Sequence, residues 1–136
     1  MITTKFLVRF TECDSYGIVS HPNYLNWLTE CRINYFRKCH LSEKLLNEAN
    51  IFLVMVRVNL ICKNPCTYGD NVVIETKLEK INKKSIVFKY VAKIENTEKI
   101  IFEAETANYV TSKEGKLVSF SPEIFEKIIE FNSKAL

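Results

Sequence analysis

Hydrophobic side chains recur along the chain with two different periods, and the change of period separates strands from helices. Four segments between residues 54 and 106 alternate between apolar and polar positions, which is typical of strands with one buried and one wetter face. The positions predicted to face inward are Val54, Val56, Val58, Leu60 and Cys62; Val72, Ile74, Thr76 and Leu78; Ile86, Phe88, Tyr90, Ala92 and Ile94; and Ile100, Phe102, Ala104 and Thr106. Short polar turns join the segments, which predicts antiparallel neighbours. A looser alternation over residues 4–12 predicts a further strand.

From Asn23 to about His40 the apolar spacing changes to three and four residues, which predicts a long helix. Additional apolar residues widen the stripe until the helix is apolar on most sides, and such a helix belongs inside a protein. A single sheet covers it only by curving around it. We therefore expect an α+β fold in one domain, residues 1–136, with a curved antiparallel sheet wrapped around one long central helix. Shorter helices are predicted from Ser42 to Ala49, capped by Ser42, and after Ser121 and Pro122.

Composition narrows the classes of function. The 19 basic and 16 acidic residues give a net charge of +3, too slight for a nucleic-acid binder but suited to a small anionic molecule. No apolar run approaches the ~20 residues of a membrane span, and Met1–Phe10 lacks the apolar core of a signal peptide. We expect a cytoplasmic protein whose five cysteines are reduced. Cys62 and Cys66 are spaced C-x3-C without a histidine pair, so no metal site is expected.

The loop from Asp14 to Tyr24, D-S-Y-G-I-V-S-H-P-N-Y, carries the candidate chemistry. Asn23 is expected to cap the long helix, which places the Asp14 carboxylate beside backbone N–H groups that can polarise a carbonyl. Tyr24 and Trp27 would form an apolar wall that limits hydration of the carboxylate. This combination indicates acyl transfer.

Other interpretations of the same residues stay open. Asp14 and Gly17 occupy the first and fourth positions of a good type I turn. His21 either orients the substrate, Asp14 or a water, or is a surface or capping histidine. Glu30 is an alternative acid, and Cys13 with His21 is a conceivable nucleophile pair. The nucleotide-binding, serine-hydrolase and zinc-protease motifs are absent from the sequence.

The motif D-x2-G-x-V-x-H-x2-Y, formed here by Asp14, Gly17, Val19, His21 and Tyr24, resembles the signature of hotdog-fold acyl-CoA thioesterases. The branch is the 4-hydroxybenzoyl-CoA thioesterase-like, or YbgC-like, one. The resemblance implies that Asp14 is the catalytic carboxylate, as nucleophile or as general base, and that His21 assists it. It implies an oxyanion hole of amides near Asn23 and Tyr24. The residues expected to contact substrate are Gly17, Val19, Asn23, Tyr24 and Trp27.

The resemblance also implies the partners. The substrate would be an acyl-CoA or acyl-carrier-protein thioester, with no separate cofactor, and exposed Arg57, Lys83 and Lys84 are candidates to meet the phosphates of coenzyme A. Protomers of the family pair edge to edge into dimers and often tetramers, with the sites at the interface. Two alternatives remain on the same scaffold: a dehydratase that uses His21 with an acid such as Glu30, and a non-catalytic module that binds acyl-CoA or acyl carrier protein.

Overall fold

The computed structural model describes residues 1–134, which form an antiparallel sheet and three α-helices. The elements in chain order are β1 (Ile2–Leu7), α1 (His21–Lys38), α2 (Glu43–Glu48), β2 (Phe52–Cys62), β3 (Asn71–Asn82), β4 (Ser85–Ile94), β5 (Ile100–Thr111) and α3 (Pro122–Lys134). The strands lie in the order β1-β3-β4-β5-β2, and every neighbouring pair is antiparallel. The predicted α+β class is confirmed. No helix in the described residues is long and apolar enough to cross a membrane.

The long helix α1 packs on the sheet through the side chains that the three- and four-residue spacing predicts. Tyr24, Trp27, Leu28, Cys31, Tyr35, Phe36 and Cys39 are all buried. The Tyr35 ring meets Phe88 of β4 and Phe131 of α3, with ring centroids 5.0 and 5.4 Å apart. Burial of each large apolar side chain contributes about 1.5–3 kcal/mol, so this face of α1 holds the sheet and α3 together.

The opposite side of α1 is open, so the helix is less enclosed than its sequence predicts. Leu25, Asn26, Thr29 and Glu30 are exposed. Leu25 is the one large apolar residue among them, with 37% of its surface exposed. Thr29 borders a cavity beside Leu53 of β2, the strand at one edge of the sheet. Asn26 and Glu30 border a cavity on the β1 side.

Two predicted boundaries are wrong, and hydrogen bonds explain both. The first strand ends at Leu7 and not at residue 12, because residues Phe10–Glu12 form a turn of 3-10 helix closed by the Glu12 side chain. The helix α1 begins at His21 with Ser20 as its N-cap, so Asn23 is not the cap. Pro22 fits the second helical position, since the first turn of a helix does not need its missing N–H. The predicted caps Ser42 and Ser121 are confirmed: each hydroxyl accepts a backbone N–H from the first turn of its helix.

The edge strand β2 contains a bulge that the strict alternation does not predict. Val56 is an extra residue, because the register with β5 shifts between Met55 and Arg57. The prediction that all even positions of β2 share one buried face is therefore wrong. Val54 pairs with exposed Tyr109, whereas Val58 beyond the bulge pairs with buried Thr106 on the α1 side of the sheet. The inward positions predicted for β3 and β4 are confirmed from Val72 to Leu78 and from Ile86 to Ala92.

Glu12 joins three parts of the chain that surround the candidate loop. Its carboxylate accepts the backbone N–H of Arg9 and the indole N–H of Trp27, both at 2.8 Å, and lies 3.5 Å from the Arg9 guanidinium. Its carbonyl accepts the Ser20 N–H at 3.1 Å and the Asn23 side-chain amide at 2.9 Å. Desolvation by burial raises the pKa of Glu12, but the hydrogen bonds to Arg9 and Trp27 outweigh it, so the pKa lies below its usual 4.5. We call this set of bonds the Glu12 clamp.

We expect Glu12→Gln to lower the free energy of unfolding by about 1–3 kcal/mol at pH 7, because one of the two N–H donors, Arg9 N–H or the buried Trp27 indole, would face an NH₂ group. Urea denaturation followed by far-UV circular dichroism measures the change. A pKa that is lowered in the folded state stabilises the protein above the carboxyl's usual 4.5 and loses that contribution as pH falls. The difference between the two proteins should therefore narrow as pH falls below that value.

The matched control is Glu126→Gln, which removes an exposed carboxylate that forms no ion pair within residues 1–134. This control should change stability by less than about 0.5 kcal/mol. Equal stability of the two variants at pH 7 would contradict a stabilising role for the Glu12 carboxylate.

Candidate active site

The loop between β1 and α1 is a short antiparallel excursion closed by a tight turn. Cys13 forms an isolated antiparallel β-bridge with Val19, and Ile18 forms another with Thr67 in the β2–β3 connection. The Asp14 N–H donates to the Ile18 carbonyl at 2.9 Å, and the Gly17 N–H donates to the Asp14 carbonyl at 3.0 Å. Gly17 has φ +80°, a conformation that side chains with a Cβ rarely adopt. The turn predicted from Asp14 and Gly17 is therefore present.

The Asp14 carboxylate is exposed and takes part in that turn. One oxygen, Oδ1, accepts the Tyr16 N–H at 2.8 Å, as in an Asx turn. The other oxygen accepts no hydrogen bond from residues 1–134. Neither Asp14 nor Gly17 is among the residues that line the cavity at the start of α1. The carboxylate thus has one oxygen fixed by the backbone and one free to meet a ligand.

That cavity lies where the loop, the start of α1 and the end of β2 meet. It has a volume of about 190 Å³, and its lining residues are Ile18, Val19, His21, Tyr24, Cys62, Lys63, Asn64 and Pro65. It brings together Val19, His21 and Tyr24 of the predicted site. Asp14 adjoins it through its hydrogen bond to Ile18. Lys63 and Asn64 are lining residues that the sequence does not reveal, because they follow β2 and belong to no recognisable motif.

The N-terminus of α1 presents a different amide from the one expected. The Asn23 N–H donates to the Ser20 carbonyl at 3.0 Å, so it is not free to bind a substrate oxygen. The His21 N–H, at the first helical position, donates to no protein group within the described chain. The Asn23 side chain instead bonds to Ser20 Oγ at 2.8 Å and to the Glu12 carbonyl. Asn23 holds the loop in place, and the backbone of His21 is the available donor.

The aromatic residues of the predicted site divide between two places. The His21 ring is exposed and lies over Tyr24, with centroids 5.9 Å apart and planes at 29°. Tyr24 is buried, its hydroxyl 3.6 Å from Cys66 Sγ, and desolvation raises the pKa of its phenol. Trp27 is also buried, stacks on Phe6 and bonds to Glu12, on the β1 side of α1. The structure therefore separates Trp27 from the cavity at His21.

The other residues singled out from the sequence, which are an alternative acid, a conceivable nucleophile and two lysines for coenzyme A phosphates, do not line this cavity. Glu30 is exposed on the β1 side of α1 beside Trp27. Lys83 and Lys84 lie in the β3–β4 turn, at the end of the sheet far from Cys62, since seven residues of β5 at ~3.4 Å each separate the two ends. The Cys13 thiol, the conceivable nucleophile, donates to the Arg9 carbonyl at 3.8 Å, and Cys13 is not among the residues that line the cavity with His21. No group of His, Cys, Asp and Glu residues in positions 1–134 has the arrangement of a metal site.

Comparison with known proteins gives a consistent result across the chain. Residues 8–128 match the family model described as the thioesterase-like superfamily. A putative esterase from Aquifex aeolicus is 27% identical over 119 residues, which cover 88% of this chain and 91% of that protein. The 4-hydroxybenzoyl-CoA thioesterase from Pseudomonas sp. strain CBS-3 is 34% identical over 91 residues, which cover 63% of each chain.

Solved structures agree with this assignment. A hypothetical protein from Aquifex aeolicus superposes with a TM-score of 0.86 at 24% identity and covers 94% of this chain and 99% of that one. An aspartate-to-asparagine variant of 4-hydroxybenzoyl-CoA thioesterase, complexed with 4-hydroxybenzoyl-CoA, superposes with a TM-score of 0.84 at 25% identity. The match covers 93% of this chain and 97% of that one. With its five-stranded antiparallel sheet packed on α1, the protein has the hotdog fold, belongs to the thioesterase-like superfamily and is a thioester hydrolase.

Proposed function

We propose that the protein hydrolyses an acyl-CoA thioester to a free acid and coenzyme A, with Asp14 as its catalytic carboxylate. The observation that carries this proposal is the place of Asp14 in the loop beside the cavity at the α1 N-terminus: its backbone N–H donates to the carbonyl of Ile18, which lines that cavity, and one of its carboxylate oxygens accepts no hydrogen bond from residues 1–134. The relatives named as 4-hydroxybenzoyl-CoA thioesterase and as long-chain acyl-CoA thioesterase FadM from Escherichia coli support coenzyme A as the carrier. The motif from Asp14 to Tyr24 favours the YbgC-like branch of the family.

The thioester carbonyl would lie at the start of α1. There the His21 N–H, which has no acceptor in residues 1–134, and the positive end of the helix dipole would stabilise the oxyanion. The His21 side chain, exposed on the same turn, would orient the carbonyl or the attacking water. Lys63 lines the same cavity and is a better placed partner for coenzyme A phosphates than Lys83 or Lys84 of the same chain.

Two routes use the free oxygen of Asp14. As a general base, the carboxylate takes a proton from water, the resulting hydroxide adds to the thioester carbon, and the C–S bond breaks to release coenzyme A, whose thiolate takes up the proton. As a nucleophile, the carboxylate adds to the same carbon and expels the thiolate, and water then cleaves the mixed anhydride. Both routes need one carboxylate oxygen that the turn does not occupy, which is the arrangement at Asp14.

We propose further that a second copy of the chain completes the site by pairing with β2. This edge strand is 11 residues long and exposes Val54, Val56, Val58 and Ile61, whereas the other edge, β1, has only six residues. A long apolar edge is a template for pairing with another strand. Pairing there would cover the open side of α1 and join the two sheets edge to edge. A tetramer would require two such dimers to stack.

Asp14→Asn should lower kcat by about a hundredfold to ten-thousandfold, because the amide cannot act as a base or nucleophile. The change keeps an oxygen to accept the Tyr16 N–H, so the turn should survive. Thiol release from benzoyl-, hexanoyl- and decanoyl-CoA, followed with a thiol reagent, gives kcat and KM.

The control is Asp70→Asn, since Asp70 likewise accepts a backbone N–H, that of Thr67 at 2.8 Å. This variant should keep its activity to within a few-fold. Full activity of the Asp14 variant would remove the proposed role. Binding of acyl-CoA by the wild type without any turnover would favour a non-catalytic module.

Val56→Lys should weaken the dimer at least tenfold. Val56 lies next to the centre of β2, and in a two-fold antiparallel pairing the centre of the strand meets its own copy, so two lysines would come together. Sedimentation over a range of concentrations measures the dissociation constant. Leu117→Lys is the control, because Leu117 is similarly exposed but lies outside the sheet. A wild-type protein that sediments as a monomer at micromolar concentration would contradict pairing through β2.

A further inference from the structure

Arg32 is a buried cation that pairs with no anion in the described part of the chain, residues 1–134. It lies on α1 with 8% of its surface exposed. One guanidinium nitrogen donates to the Tyr90 hydroxyl at 3.3 Å and another to Thr29 Oγ1 at 3.0 Å, and both acceptors are neutral. Within residues 1–134 Arg32 forms no ion pair, whereas Arg9, Arg37 and Arg57 each do.

This arrangement leaves the positive charge without an anionic partner among residues 1–134, and it leaves some of the guanidinium N–H groups free to bind a ligand. A guanidinium has five N–H donors in a planar fork, and the two bonds described use only part of them. Removing a charge from water is costly unless an opposite charge compensates for it. Among the partners of a guanidinium, a carboxylate fits best, because its two oxygens accept a parallel pair of N–H bonds.

Arg32 lines a mostly apolar cavity. The volume is about 200 Å³, and the other residues of the wall include Ile33, Phe36, Leu41, Leu46, Ile51 and Leu53. Glu43 also lines this cavity, but its carboxylate accepts the Arg37 Nε–H at 2.9 Å and is half exposed. The cavity therefore combines apolar walls with one cation that no anion of residues 1–134 neutralises.

Both cavities lie between α1 and β2, one at each end of β2, and we call the strip between them the seam. The first adjoins His21 and Cys62, and the second adjoins Thr29, Arg32 and Leu53. Thr29, beside the guanidinium, follows His21 by eight residues, or about 12 Å along the helix axis. By their spacing along the two elements, Leu25 of α1 and Val58 and Leu60 on the α1 side of β2 fall between the two cavities, and all three are apolar.

We propose that this seam binds the acyl chain and that Arg32 pairs with a carboxylate at its far end, so that the preferred substrates are thioesters of dicarboxylic acids. This inference rests on the proposed function, which places the thioester at His21. The apolar seam would hold the methylene groups, and the buried guanidinium would select the anionic end. A desolvated charge pair also discriminates strongly, because an acyl chain that ends in a methyl group leaves the guanidinium unpaired.

The test compares matched pairs of acyl-CoAs that differ only in the terminal group: adipoyl with hexanoyl, suberoyl with octanoyl and sebacoyl with decanoyl. The wild type should prefer the carboxylate member of at least one pair by about tenfold to a hundredfold in kcat/KM. Arg32→Met should abolish or reverse that preference while hydrolysis of the methyl-ended member continues. Lys38→Met removes a charge from an exposed position on the same helix and should leave the preference unchanged.

Each alternative outcome has a distinct meaning. Wild-type preference for the methyl-ended member of every pair would overturn the inference and leave the thioesterase function standing. Arg32→Met would show a structural role, and so also overturn the inference, if it lowered kcat/KM equally for both members of each pair and also lowered the melting temperature or weakened the dimer. If no thioester is cleaved, the proposed function fails. Titration calorimetry with the same intact acyl-CoAs then decides the inference, which fails if Arg32→Met leaves their relative affinities unchanged.

Discussion

The buried Glu12 carboxylate is the interaction on which the candidate site depends. It holds the turn after β1 through the Arg9 N–H and holds α1 through the Trp27 indole, while the carbonyl of the same residue holds Ser20 and Asn23. The loop that carries Asp14 is therefore fixed at both ends by one residue. A site built from a loop needs such support, because an error of about 1 Å in position costs about a hundredfold in rate.

A second constraint is that β2 is the last strand of the sheet on its side, so that part of α1 is left uncovered. β2 has neighbours on one side only, and its bulge turns Val58 and Leu60 toward the open side of α1. The resulting seam is apolar and reaches the N-terminus of α1 at one end and Arg32 at the other. In one copy of the chain this seam faces water, which is unfavourable for valine and leucine side chains. Pairing of two β2 strands and binding of an acyl chain would both relieve that exposure, so assembly and substrate binding draw on the same surface.

The sequence predicts the parts of the fold that follow from periodicity, and it fails where a single hydrogen bond decides. The alternation of Val72 to Leu78 and the three- and four-residue spacing from Tyr24 to Cys39 predict their buried faces correctly, because burial imposes those periods. The sequence misplaces the start of α1, because Asn23 is as good a cap by residue type as Ser20. It does not reveal the Glu12 clamp, because an acidic residue next to a predicted strand end is usually exposed. Nor does periodicity reveal Arg32, which interrupts an apolar helix face and shows its lack of an anion only in three dimensions.

The turn formed by Asp14 and its proposed catalytic role are compatible, although they first present themselves as alternatives. An Asx turn uses a single carboxylate oxygen, and the Tyr16 N–H engages only Oδ1. That bond fixes the direction of the carboxylate and leaves the second oxygen for a water or a thioester carbon. The exposure of Asp14 in one chain is compatible with its proposed role, because a group that would contact both the substrate and a second copy has to lie at the surface of the first. The turn thus orients the carboxylate, and in the proposed dimer the substrate and the copy paired at β2 would bury it.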